Sequence, residues 1–91
     1  MEEFTLLAAV SPRERARDQA ITAAFGLRVH AIRKEAGLSQ EALAEAAGLH
    51  STFISNIERG YRLPTIATLL RLAKGLGVPP SSLVDGLDHE Q

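Results

Sequence analysis

LSQEALAEAAGLHSTFISNIERG, residues 38–60, carries two short helical patterns separated by one glycine. Ser39 can accept from free backbone N–H groups of a following turn, so a helix is predicted to begin at Gln40. Leu43, Ala44 and Ala47 then share one apolar stripe, with Glu41 and Glu45 on the wet side. Gly48 ends that helix, because glycine enters the left-handed conformation at little cost and lets the chain turn within roughly three or four residues. His50 or Ser51 would cap the second helix. Within it Ile54 and Ile57 face inward with Leu49, Phe53 sits at the seam, and Ser51, Thr52, Ser55 and Asn56 lie on the opposite face. Ala44 is short enough for two steeply crossed helices to approach each other there. The pattern is a helix-turn-helix.

The flanking sequence continues in helices. Ser11, Pro12 and Glu14 combine a capping hydroxyl, a proline at the first helical position and a carboxylate that reaches back. Ala16, Ala20, Ala23 and Ala24 extend this helix, and Phe25, Val29 and Ile32 supply its inward face until Gly37 stops it. Gly26 costs about 1 kcal/mol against alanine in such a place, so close packing, a bend or a break into two helices is expected there. Beyond the motif, Thr65 caps IATLLRLAKGLG, in which Ile66, Leu69, Leu70, Leu72, Ala73 and Leu76 form a broad apolar face closed by Gly75 and Gly77. Val78 and Pro79 link to a last short helix that starts at Pro80 or Ser81 and passes through Leu83 and Val84. The division that follows is a partly helical extension over 1–24, a domain over 25–84 and a flexible acidic tail over 85–91. The chain shows no internal repeat, low-complexity tract or second domain.

Composition agrees with an all-α bundle. A chain of 91 residues, 45% apolar but with four large aromatics, has room for one small core built of Leu, Ile, Val and Ala. Without cysteine it can form neither a disulfide framework nor a thiolate metal site. The opening MEEFTLLAAV carries acids where a secretory signal would carry Lys or Arg, which predicts a soluble cytoplasmic protein. The net charge is −1, yet from Ser51 to Lys74 the cations Arg59, Arg62, Arg71 and Lys74 face Glu58 alone. The acids gather instead at Glu2, Glu3, Asp85, Asp88 and Glu90. Phosphate affinity grows with the number of cations presented, so one copy would grip DNA weakly and a homodimer is expected.

FGLRVHAIRKEAGLSQEALA, FISNIERG and Pro64 leading into TLLRLAKGLGV stand in an order and spacing that resemble the Xre/Cro/phage-repressor-like helix-turn-helix DNA-binding family. The likeness runs from about Phe25 to Leu83, nearly two-thirds of the chain. It implies a lambda-repressor-like five-helix bundle and a transcriptional regulator working as a homodimer on a palindromic operator. It leaves Ser11 to Ala24 unexplained, because the family's first helix usually starts near Phe25. Two recognition helices entering successive major grooves would stand roughly 34 Å apart.

An outward helix face in the major groove reads base edges with its first two turns. Ser51, Thr52, Ser55 and Asn56 are the candidate base readers, at positions that the family resemblance marks for that role. The Asn56 amide can donate to and accept from adenine, and Thr52 also offers a methyl to thymine. Gln40 opens a helix whose free N–H groups suit a phosphate, and its amide can add a bond. Arg59, Tyr61 and Arg62 follow the second helix around Gly60 as further phosphate candidates. The resemblance makes Arg33 and Glu58 a structural ion pair joining the first and third helices. Leu76, Val78, Leu83, Val84 and Leu87 are expected to form the dimer contact, since this short end has more apolar side chains than it can bury alone. MEEFTLLAAV competes for that role, and packing, swapping and mobility all stay open for it.

His30, His50 and His89 lack metal-ligand spacing, no phosphate-cradling or dinucleotide glycine motif occurs, and no serine stands in a nucleophile elbow. Neither an enzyme nor a cofactor or metal is therefore expected. The size resembles that of restriction-modification controllers, with antitoxin partners and prophage-type repressors as relatives of similar build. The alternative function is a protein-binding module or an antitoxin-type partner on the same fold.

Overall fold

The computed structural model describes residues 10–88. The Ser11 hydroxyl accepts from the Glu14 N–H at 3.1 Å and Pro12 opens the first turn, and from this start α1 runs unbroken over Pro12–Glu35. Ser39 repeats the device, accepting from the Ala42 N–H at 2.9 Å to start α2, Gln40–Ala47. Gly48, at φ 72° and ψ 36°, turns the chain into α3, Ser51–Glu58. The cap of α3 is His50, whose side chain makes no capping bond. Thr65 caps α4, Ile66–Leu76, by accepting from the Thr68 N–H at 3.2 Å, and a single turn, α5, covers Ser81–Val84. Among the described residues there are five helices and no strand, which is the all-α five-helix bundle expected.

Phe25 and Val29 of α1, Leu43, Ala44 and Ala47 of α2, Ile54 and Ile57 of α3, Leu72, Ala73 and Leu76 of α4, and Leu83 of α5 make one core. Each fully buried Leu, Ile or Phe contributes about 1.5–3 kcal/mol. α1 packs along α3, α2 along α4, and α5 closes on α1. Arg28 fastens that closure, donating to the Ser82 carbonyl at 2.9 Å and the Asp85 carbonyl at 2.8 Å.

Several expectations are corrected. Gly26 marks close packing, with neither bend nor break: a β-carbon there would overlap the Ile57 carbonyl oxygen and stand 2.9 Å from that of Glu58. From Pro12 onward the extension is the first half of α1, which continues without interruption across residues 24 and 25. Gly75 lies inside α4 and does not close it. Its bare Cα faces Leu43 and Ala47 of α2, and the helix ends at Gly77. The broad apolar face of α4 is only partly used, since Ile66 is 74% exposed and Leu70 49%. Leu87, within the stretch read as the tail, packs against the core. Residues 1–9 and 89–91 lie outside the described residues, and with them the placement of MEEFTLLAA, of His89 and of the last acids.

Candidate nucleic-acid interface

With Ile54 and Ile57 turned into the core, the spacing of α3 carries Ser51, Thr52, Ser55 and Asn56 away from it. Thr52 is exposed and the other three are half-buried. Among the described residues none of the four side chains is engaged in a hydrogen bond, so their donors and acceptors are available. Arg59, Tyr61 and Arg62 follow and are exposed. The Arg59 guanidinium stands 5.8 Å from the Tyr61 ring centre and that of Arg62 6.0 Å from the Phe53 ring centre, at the outer reach of cation–π attraction. Arg62 is thereby kept beside α3.

Under this face lies a polar knot. The Glu58 side chain is 5% exposed. Its Oε2 accepts from Arg33 Nε at 2.6 Å, and its Oε1 accepts from His30 Nδ1 at 2.9 Å, Arg33 Nη2 at 3.0 Å and Gln40 Nε2 at 3.1 Å. Arg33 also donates through Nη1 to the Leu38 carbonyl at 2.8 Å. Burial by itself would raise the Glu58 carboxyl. The hydrogen bonds from Arg33, His30 and Gln40, with the Arg33 charge, outweigh it and hold the group down to about 2. The Arg33 guanidinium is raised in turn by its bond to Glu58, against the opposing effect of burial. The pair thus joins α1 to α3, while Gln40 draws the start of α2 onto the same carboxylate. An open cleft of about 470 Å³, lined in part by Arg33, Lys34, Ser39 and Gln40, sits at that start.

The structure brings Gln40 to Glu58, which its reading as a phosphate contact did not anticipate, and adds His30, which sequence reasoning had considered only for metal ligation. A signal was present, since His30 and Arg33 are three residues apart on one helix and so share a face. Two of the residues assigned to the dimer contact are withdrawn. Leu76 is 6% exposed and Leu83 is fully covered, because both fill the protomer's own core. Val78 and Leu87 are half-buried against that core, and Val84 is exposed. Among the described residues no helix is long and apolar enough to cross a membrane.

Two helices joined through a left-handed glycine, the second anchored by isoleucines and presenting an unengaged polar face, define a helix-turn-helix transcriptional regulator. The chain belongs to the helix-turn-helix family HTH_3, whose model matches residues 29–83. It is 44% identical over 62 residues to the control protein C.BamHI of Bacillus amyloliquefaciens, covering 67% of this chain and 76% of that one. With the control protein C.SmaI of Serratia marcescens the identity is 46% over 65 residues, 69% of this chain and 77% of the other. The crystal structure of the restriction-modification controller protein C.AhdI from Aeromonas hydrophila superposes with a TM-score of 0.69 at 38% identity, over 70% of this chain and 97% of that chain. The matched region begins at Val29, so the first half of α1 lies outside it.

Proposed function

We propose that the protein is a cytoplasmic, controller-type regulator of a restriction-modification operon that binds a palindromic operator as a homodimer. The observation that carries this reading is the outward face of α3, whose polar side chains are unengaged above a closed core. The control proteins C.BamHI and C.SmaI and the controller C.AhdI support the operon type. Ser51, Thr52, Ser55 and Asn56 read base edges, and Gln40, Arg59, Tyr61 and Arg62 hold phosphates. The dimer contact is assigned to outward apolar side chains of α4 and α5, Ile66, Leu70 and Val84, in place of the buried Leu76 and Leu83. Selection of duplexes from a random pool is expected to enrich a two-fold symmetric motif with half-site centres about one helical turn apart. A pool that yields no motif overturns the reading.

A further inference from the structure

We propose that the outward face of α1 is a docking surface for α1 of a second copy, the two helices lying antiparallel about a two-fold axis beside Ala24. This surface is distinct from the α4 and α5 contact and goes beyond the DNA-binding reading. Phe25, Val29 and Arg33 turn one side of α1 into the core, and helical spacing puts Ala20, Ala24, Leu27 and Ala31 on the opposite side, where all four are exposed. Their steps of four, three and four are those of a coiled-coil seam, so α1 carries an apolar stripe on its solvent side as well as its buried one. Leu27 is 67% exposed in the middle of that stripe. From Pro12 to Ala20 the helix is exposed on every side. Helices in proteins take most of their stability from packing, and no side chain of this stretch is buried within the protomer.

Shape and charge both fit a second copy of the same helix. In antiparallel register about Ala24, Leu27 of one helix lies level with residue 21 of the other, over the hollow between its Ala20 and Ala24. The second Leu27 does the same in return, the reciprocity that a two-fold contact requires. Alanine at the crossing lets the helix axes come close, towards the short end of the usual range of about 8–10 Å. Arg13 and Glu35, exposed at the two ends of the stripe, have no ion-pair partner among the described residues. Both lie about 16 Å from Ala24 along the helix, at roughly 1.5 Å per residue, so this register sets Arg13 of each copy beside Glu35 of the other. A parallel register would set like charges together. Built mainly of alanine, one helix pair is expected to bury less than the roughly 1,200 Å² at which stable interfaces begin, so the contact is weak and joins one dimer to another at high local concentration.

The chain has no cysteine, so single introduced thiols report the register. Ala24→Cys lies on the axis, and under mild oxidation of concentrated protein it is expected to give a disulfide-linked pair in high yield. Arg13→Cys and Glu35→Cys each stand about 30 Å from their own copy, so an equimolar mixture of the two is expected to link several-fold faster than either variant alone. Sedimentation of the native protein at rising concentration should pass from dimer to tetramer, and Leu27→Glu, folded by circular dichroism, should stop at the dimer. An Ala24→Cys thiol that stays unlinked overturns the proposal: shielded from alkylation in dilute protein, it is covered by the chain's own first nine residues, and reactive, it faces no second copy. Arg13→Cys that links to itself as fast as the mixture overturns the antiparallel register. Native protein that stops at the dimer overturns this proposal alone, whereas native protein that stays monomeric at every concentration overturns the α4 and α5 contact as well.

Discussion

Glu58 is a 5%-exposed carboxylate held by donors from two other helices, and its ionisation is part of what stabilises the fold. Its carboxyl lies at about 2, below the ordinary 4.5, so the stabilisation is fully present above pH 4.5 and is lost as pH falls towards 2. Glu58→Gln is expected to cost about 3 kcal/mol at neutral pH because it strands the Arg33 charge. In urea denaturation the gap from the native protein should close as pH falls from 4.5 to 2; a constant gap contradicts the assignment. Asn56 sits on the other side of α3, where folding makes no use of its amide. Asn56→Ala should lower preference for the selected operator over random DNA by about 1–3 kcal/mol and leave the thermal midpoint unchanged. Arg62→Ala should weaken binding to every sequence and flatten the salt slope by about one unit. An unchanged slope removes Arg62 from the phosphate contacts.

α1 and α3 meet where Gly26 leaves room for the carbonyls of Ile57 and Glu58. Alanine there improves helix propensity by about 1 kcal/mol, but its methyl overlaps main chain, which cannot step aside as a flexible side chain could. Overpacking prevails, and Gly26→Ala is expected to destabilise by about 2 kcal/mol in chemical denaturation. The sequence could not assign this role to Gly26, because the clash is with residues more than thirty positions away. For the same reason Gly75 reads locally as a helix stop although it is a contact with α2. Helix starts at Ser11, Ser39 and Thr65 were legible, since a cap bonds only three residues onward. The inward residues of α2 and α3 were legible from period alone. What period cannot tell is which part of a broad apolar face the chain itself covers. Leu76 and Leu83 proved to be core, and Ile66 and Leu70 surface. Nor does it show that His30 and Gln40 meet on Glu58, a junction made only when three helices assemble.

For the whole molecule, a net charge of −1 supports the proposal that two copies act on one duplex, since phosphate affinity grows with the number of cations presented. The outward Ile66, at 74% exposure, and Val84, at 44%, are apolar side chains that folding leaves uncovered. Ile66→Glu combined with Val84→Glu is expected to give a folded monomer in sedimentation and to weaken operator binding far more than the added charge alone would. A persistent dimer moves the contact to the N-terminal segment. The main-chain seat at Gly26 has a further consequence, because it holds α3 against α1 without reference to the outer side chains of α3. If, as proposed, the quartet at positions 51, 52, 55 and 56 reads the bases, a different quartet there is expected to direct the protein to another DNA word while the chassis beneath stays where it is.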